Sequence, residues 1–222
     1  MSRPDQSDVA SQADTAKGGA ITARLYDGVL ERGERKGMAE IRRKLIAKAE
    51  GAVLEIGAGT GLNAEYYGDG LERLVICEPE EHMIGELKKR VESLGLDAEI
   101  VRAAAEALPF EDDSFDTVIS ALVLCTVGDV DASLAEIRRV LKPGGRLLLV
   151  EHVHAGDTRL GRWQNRLHRP WRAVAAGCNC NRDTLQSIAD SGFQVTEIDQ
   201  SEWHGMVPLV RPLIVGSALN PA

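Results

Sequence analysis

The chain has 222 residues, of which 44% are hydrophobic and 27% charged, and this composition predicts a single globular domain with a full core. The formal net charge of −8 argues against a general nucleic-acid binder. No apolar run approaches the roughly 20 residues of a membrane span, and the N-terminus lacks the apolar segment of a signal peptide, so we expect a cytoplasmic protein without an integral membrane segment. Four cysteines in a chain of this length do not indicate a disulfide framework.

The N-terminal part is expected to be a tail followed by helices. Residues 1–19 are rich in Ser, Asp, Gln and Ala, which predicts a disordered tail and a single domain over residues 20–222. Apolar residues at helical spacing predict a helix over 20–30, which contains Tyr26, and a second helix over 37–49.

From residue 52 onward, short apolar strands alternate with helices. Seven strands are predicted, over residues 52–56, 73–77, 98–101, 116–120, 146–151, 193–199 and 210–217. Helices are predicted from residue 62, over 80–94 and over 130–141. Strands that are apolar almost throughout indicate a parallel sheet covered on both faces, and ligands of such sheets bind beyond the carboxyl ends of the strands.

The first strand runs into a glycine-rich loop. Residues 53–61 read V-L-E-I-G-A-G-T-G, with Gly57, Gly59 and Gly61 at alternate positions. Glycine allows positive φ and close approach of a ligand to the backbone. Glu78 follows the second strand, about 20 residues later, where a carboxylate would bind a ribose diol. A tight turn of any α/β protein is the alternative interpretation of the loop on its own.

The loop and three later runs resemble the class I S-adenosylmethionine (SAM)-dependent methyltransferases. The loop has the spacing G-x-G-x-G after Glu55, and it is followed by L-P-F at 108–110, D-D-S-F-D at 112–116 and V-L-K-P-G-G at 140–145. The resemblance implies a Rossmann-like α/β fold with a seven-stranded, mostly parallel sheet, an antiparallel last strand inserted between two others, and helices on both faces. It also implies SAM as the cofactor and S-adenosylhomocysteine as its product.

The same resemblance implies a set of cofactor-binding residues near the ends of the strands. These are Tyr26, Glu55, Gly57, Ala58, Gly59, Thr60, Gly61, Glu78, Pro79, Met83, Ala105, Glu106, Ser120, Ala121 and Leu122. Tyr26 is expected either to lie over the cofactor or to pack its helix on the sheet, and Glu106 either to bind adenine or to be an acidic residue at a helix start. Residues 103–106 read A-A-A-E and lack the aspartate that the superfamily often has there.

The last third is similar to the thiol S-methyltransferases of the methyltransferase-like group. The similarity lies in L-V-L-C-T-V at 122–127, E-H-V at 151–153, P-W at 170–171, G-C-N at 177–179 and V-R-P at 210–212. It implies a small thiol or sulfide as the methyl acceptor; the membrane anchor of the animal members is expected to be absent. The alternatives are a methyltransferase that acts on a quinone, phenol, amine or lipid headgroup, and a SAM-binding protein without catalytic activity. The sequence does not predict the oligomeric state. The glycine spacing argues against a nicotinamide-dependent oxidoreductase.

A lid-like insertion is predicted over residues 156–182. Leu160, Trp163, Leu167, Trp171 and Val174 share one helical face, with arginines beside it, and Pro170 is expected to kink or interrupt the helix. The segment is either a surface helix with a solvated basic face or a lid. In a lid, Trp163 and Trp171 would contact the substrate, while the arginines would meet an anionic group or a membrane surface.

The candidate catalytic side chains are two histidines after the fifth strand. His152 and His154 are two residues apart and would share a face in an extended chain; either could accept a proton from an acceptor, or bond structurally to a carbonyl. No metal site is expected, because Cys178 and Cys180 alone do not form one and Cys125 is interpreted as a small core residue.

Overall fold

The structure is a computed structural model that describes residues 27, 28 and 30–221. The predicted tail over 1–19 and Tyr26 lie outside the described residues. Seven strands form one sheet, and they are β1 (Ala52–Ile56), β2 (Arg73–Cys77), β3 (Glu99–Val101), β4 (Phe115–Ala121), β5 (Leu141–His152), β6 (Gln194–Glu202) and β7 (Pro212–Leu219). The helices are α1 (Ala39–Ile46), α2 (Glu81–Leu94), α3 (Val130–Val140), α4 (Arg159–Val174) and α5 (Thr184–Asp190).

The strand order across the sheet is β3-β2-β1-β4-β5-β7-β6. The pairs among β1 to β5 are parallel, while β7 lies antiparallel between β5 and β6. This confirms the expected mixed sheet and the inserted last strand. From the centre of the sheet, the strand order runs from β1 to β3 in one direction and from β4 to β6 in the other. The loops after β1 and β4 are therefore neighbours that lead away in opposite directions, and ligands of open α/β sheets bind at such a switch point.

Helices cover both faces of the sheet, as expected. Alternate residues of β1 show this division, because Leu54 packs on the face covered by α3 and α5, and Val53 packs on the face covered by α1 and α2. A third, smaller cluster lies between α4 and the carboxyl ends of β4 and β5, and it contains Cys125, Cys178 and Val210. No helix within the described residues is long and apolar enough to cross a membrane.

Two predicted helices differ from the structure. The helix predicted from residue 62 is only a 3-10 turn, Ala64–Tyr66, because Asn63 and Tyr67 on either side turn inward to buried hydrogen bonds with Glu55. The helix predicted over 37–49 becomes a π-helical turn, Glu34–Met38, followed by α1, because Gly37 adopts a φ of 131° that an α-helix does not allow.

Pro170 was expected to kink or interrupt the helix; an interruption is wrong, because α4 is continuous through it, and a kink stays a prediction. The apolar stripe of α4 faces the domain only in part, through Trp171. Gly161 and Gln164 are buried, whereas Trp163 is 46% and Val174 81% exposed. The hydrogen bonds of Gln164, described below, hold this orientation.

Candidate cofactor and acceptor site

The glycine loop is fixed by contacts that no side chain at its glycines would permit. Gly57 and Gly61 have φ of 55° and 82°. A Cβ on Gly57 would lie 2.7 Å from Val123, and one on Gly61 would lie 2.6 Å from Leu87. The loop therefore packs tightly between the segment after β4 and helix α2. Its outer side is also held, since the Thr60 hydroxyl donates to Asp27 at 2.5 Å and Asp27 pairs with Arg90.

Glu78 lies against this loop, as predicted from its position after β2. Its two carboxylate oxygens accept hydrogen bonds from the N–H groups of Gly59, at 2.8 Å, and Glu80, at 2.9 Å. Burial raises the pKa of Glu78 to about 7, and the two backbone hydrogen bonds oppose that shift. Each oxygen keeps a further lone pair with which it can accept a hydroxyl hydrogen bond.

Glu55 is buried behind the loop. One oxygen accepts from the Asn63 amide at 2.8 Å and the other from the Tyr67 hydroxyl at 2.6 Å, and Arg42 in turn donates to Asn63. Burial raises the pKa of Glu55, and the hydrogen bonds of Tyr67 and Asn63 oppose this. Glu55 thus supports the loop from inside the domain, and its predicted contact with the cofactor remains a prediction.

The remaining predicted cofactor residues lie at the same edge of the sheet, at the ends of β2, β3 and β4. The Met83 N–H donates to the side chain of Glu80, which caps α2. Ala105 is buried. The Glu106 carboxylate accepts hydrogen bonds from the N–H groups of Gly128 and Asp129 just before α3. These bonds give Glu106 a role near a helix start, and an adenine contact stays a prediction.

The segment after β4 is held by a buried carboxylate that the sequence had not singled out. One oxygen of Glu151 accepts from the Ser120 hydroxyl at 2.7 Å and from the N–H groups of Val123 and Leu124 at 2.9 and 3.0 Å; the other accepts from the Cys125 N–H at 3.3 Å. Burial raises the pKa of Glu151, whereas the bonds from Ser120 and the backbone oppose this.

The same segment contains a residue with unusual backbone geometry. Leu122 has a φ of 64°, a conformation that few non-glycine residues adopt and that clusters at ligand sites. Ser120 and Ala121 end β4 and Leu122 begins the turn, so all three predicted residues are beside the carboxylate of Glu151 or on the turn that it fixes.

His152 belongs to a buried group that we name the Cys–His–Cys cluster, formed by Cys125, His152 and Cys178. His152 Nε2 lies 3.0 Å from Cys178 Sγ, and the Trp171 indole N–H donates to the same sulfur at 3.3 Å. His152 Nδ1 is buried and has no hydrogen-bond partner among the described residues. The hydrogen bond from Cys125 is the largest influence that lowers the pKa of Cys178, with His152 and Trp171 adding to it, whereas burial raises the pKa of Cys125.

The other predicted side chains of the last third are near the cluster to different degrees. His154 Nε2 lies 3.2 Å from the Gly161 carbonyl oxygen, so His154 has the structural contact that was its alternative interpretation. Trp171 contacts the cluster, whereas Trp163 is at the surface with the Arg166 guanidinium over its ring.

Sequence reasoning missed Glu151, Cys125 and Cys178 as members of one site. The E-H-V run at 151–153 was noted only for its resemblance. The signal that could have found them is position: all three are close to the carboxyl ends of β4 and β5 or in the segment packed on those ends, where ligands of such sheets bind.

We name the glycine loop, Glu78 and the turn at Leu122 together the cofactor cradle, and these residues fit SAM. Glu78, hydrogen-bonded to the glycine loop, offers acceptors for a ribose diol, and the turn at Leu122 lies on the other side of the loop. A family profile described as a methyltransferase domain matches residues 54–149, and with the relatives below this shows that the chain belongs to the class I SAM-dependent methyltransferases.

Within that class the chain is similar to enzymes with different acceptors. It is 32% identical to thiol S-methyltransferase TMT1B of Rattus norvegicus over 206 residues, which are 90% of this chain and 83% of that protein. It is 38% identical to demethylmenaquinone methyltransferase of Renibacterium salmoninarum over 117 residues, which are 50% of this chain and 48% of that one. The solved structure of the N-methyltransferase NodS from Bradyrhizobium japonicum with S-adenosyl-L-homocysteine has a TM-score of 0.66 at 16% identity, covering 98% of this chain and all of that one, and shares the fold.

Proposed function

We propose that this methyltransferase transfers the methyl group to the sulfur of a small thiol or of sulfide. The observation that carries the proposal is the similarity to thiol S-methyltransferases, which extends over most of both chains. The similarity to the demethylmenaquinone methyltransferase of Renibacterium salmoninarum covers only 50% of this chain and 48% of that one, so it supports a quinol acceptor less strongly.

The proposed cofactor site uses the residues predicted from the sequence. Bound there, SAM would supply an activated methyl group for an in-line displacement. The glycine loop would admit the amino-acid part and Glu78 would bind the ribose hydroxyls, with Ser120 to Leu122 bordering the methyl group. Tyr26, which lies outside the described residues, is proposed to lie over the cofactor on the strength of the resemblance alone.

The proposed acceptor side is the space by the Cys–His–Cys cluster. A thiol has a pKa near 8.5 and needs only modest activation, so one polar group beside the sulfur is enough. His152 is the better of the two predicted histidines for this role, because one of its ring nitrogens is buried without a partner among the described residues, while His154 is bonded to α4. Trp171 is the better of the two predicted lid residues, and Trp163 would reach the acceptor only if α4 moved.

The experiment that tests the proposal supplies methyl-deuterated SAM and a mixed panel of acceptors. The panel contains small thiols, hydrosulfide, a phenol, a quinol and an amine, and products are identified by mass. We expect labelled methyl sulfides, with S-adenosylhomocysteine formed in equal amount. Label on oxygen, nitrogen or carbon would overturn the thiol assignment, and SAM binding without any transfer would favour a non-catalytic binder.

Two variants show whether the transfer uses the proposed cofactor site. E78A removes the proposed ribose acceptor and is expected to weaken SAM binding by at least tenfold, the loss of about one charged hydrogen bond. E81Q changes an exposed carboxylate three residues away and is expected to leave SAM binding unchanged. Equal affinities in a calorimetric titration would contradict the assignment of Glu78.

A further inference from the structure

The Cys–His–Cys cluster brings together three ligand-type side chains from separate parts of the chain. The two sulfurs and one ring nitrogen of Cys125, His152 and Cys178 lie within 4.8 Å of one another, and all three residues are buried. Cys125 follows β4, His152 ends β5 and Cys178 follows α4. Cys180, two residues from Cys178, is not a member of the group, so the C-N-C spacing does not indicate it.

Two thiolates and one imidazole form a ligand set for Zn²⁺ in which a fourth position is left open. With Zn–S near 2.3 Å and Zn–N near 2.0 Å, ligand atoms of one tetrahedral zinc lie about 3.5–3.8 Å apart. The distances in the cluster lie on both sides of these values. His152 Nε2 and Cys178 Sγ are 3.0 Å apart and would move apart on binding the ion, and no two ligand atoms are more than 4.8 Å apart. The observed separations therefore differ from those of a tetrahedral zinc site by about 1 Å, a displacement that side-chain rotation can supply.

The hydrogen bonding of the cluster provides a second, independent observation. The Trp171 indole N–H can only donate, and it points at Cys178 Sγ, which suits a thiolate sulfur. His152 Nδ1, in a side chain more than nine-tenths buried, has no partner among the described residues. Among the described residues, the Cys178 sulfur is therefore the one hydrogen-bond partner of this buried imidazole.

We infer that Cys125, His152 and Cys178 bind one Zn²⁺ ion whose fourth position receives the acceptor sulfur. This inference rests on the proposed function for the role of that fourth position, but the metal site itself does not. Val123 contacts Gly57 of the cofactor loop, and Cys125 is two residues further along the same turn. The cation would therefore be beside the cofactor cradle, and the buried carboxylate of Glu151 next to it would balance part of its charge.

The chemistry of the site then follows from the cation. The acceptor thiol would lose its proton to solvent as its sulfur binds Zn²⁺, because a coordinated thiol is deprotonated at neutral pH. That sulfur keeps a lone pair, which forms the new bond to the methyl carbon as the methyl–sulfonium bond breaks and its electron pair stays on the departing sulfur. In this arrangement His152 is a ligand of the ion and no general base is needed.

The first test is the metal content of the full-length protein, purified with a phosphine reductant and loaded with Zn²⁺ alone, then desalted. We expect about one Zn²⁺ per chain by elemental analysis, and less than a tenth of that in C125S, C178S and H152A. C180S is the matched control, because Cys180 is an equally buried thiol in the same C-N-C run, and it is expected to keep the ion. Thermal unfolding of each variant shows that it is folded before its metal content is compared.

A second measurement needs no variant. Co²⁺ added to the reduced wild-type protein is expected to give thiolate-to-metal charge-transfer absorption, and addition of a small thiol is expected to perturb the visible bands. Absence of both Zn²⁺ and Co²⁺ binding in the reduced wild type would overturn the site, and so would retention of the ion by C178S or its loss from C180S. The site would also be overturned by a Cys125–Cys178 disulfide. The sign of that disulfide would be two fewer free thiols in the protein without reductant, together with no metal bound by the protein in the presence of reductant.

The two proposals fail in different ways. If the protein binds one Zn²⁺ but methylates a phenol or a quinol, the metal site stands and the thiol acceptor is wrong. If the chelated, metal-free protein methylates thiols at the full rate, the thiol function stands and the assigned role of the ion is wrong.

Discussion

At the scale of single residues, Glu78 connects cofactor binding to pH. Burial raises its pKa from 4.5 to about 7. Between these values the folded protein holds a proton that the unfolded chain has lost, so this group makes the free energy of unfolding fall as pH rises through that window. From pH 5 to 7.5 the fall is about 2 kcal/mol in the protein without cofactor.

The measurement is urea unfolding of the wild type and of E78Q at both pH values. The wild type is expected to lose about 2 kcal/mol relative to E78Q as the pH rises, because the amide does not ionise. A difference between the two proteins that does not change with pH would show that Glu78 titrates normally.

Glu151 is the second residue whose removal has a defined consequence. E151A would leave three buried backbone N–H groups without an acceptor, each costing about 1–3 kcal/mol, so we expect a loss of several kcal/mol of unfolding free energy. E151Q keeps an oxygen where Val123, Leu124 and Ser120 donate, and its loss is expected to be less than half as large. Equal losses in urea unfolding would mean that the carboxylate does not hold the turn after β4.

At the scale of elements, α4 depends on one buried amide. Gln164 accepts from the Ala155 N–H at 2.7 Å and donates to the carbonyls of Val153 and Leu209 at 3.1 and 2.9 Å. Q164A is therefore expected to destabilise the protein by about 1–3 kcal/mol. R169A changes an exposed residue of the same helix and should stay within about 0.5 kcal/mol of the wild type in the same unfolding experiment. Similar values for both variants would contradict the packing described for α4.

The same helix shows which parts of an element could be predicted from the sequence. Its existence followed from the periodicity of its apolar residues, which is a local property of the chain. Its orientation did not, because polar Gln164 faces inward and Trp163 outward, and hydrogen bonds to distant carbonyls decide that rotation. Pro170 was expected to kink or interrupt the helix, but a proline in the fourth turn removes only one backbone hydrogen bond, and the other bonds of α4 keep the helix continuous.

At the scale of the whole molecule, the parallel core of the sheet could be predicted from the sequence, because buried strands are apolar throughout and end in chemically distinct loops. The position of β7 between β5 and β6 came from resemblance to a family, since strand order depends on contacts between distant segments. The Cys–His–Cys cluster has no local spacing pattern either, because its members are 26 or more residues apart and meet only when α4 packs against the sheet; the position of its members near the ends of β4 and β5 is the one signal for it.

The measurement that tests the central claim most directly compares two acceptors that differ in one atom. A thiol and the alcohol with the same carbon skeleton would each be given to the purified enzyme with saturating SAM, and kcat/KM would be determined from S-adenosylhomocysteine formation. We expect turnover of the thiol and none above background for the alcohol, because the oxygen of an alcohol stays protonated at neutral pH and is a poor ligand for a soft site. Equal turnover of both, or turnover of the alcohol alone, would contradict methyl transfer to sulfur at this site.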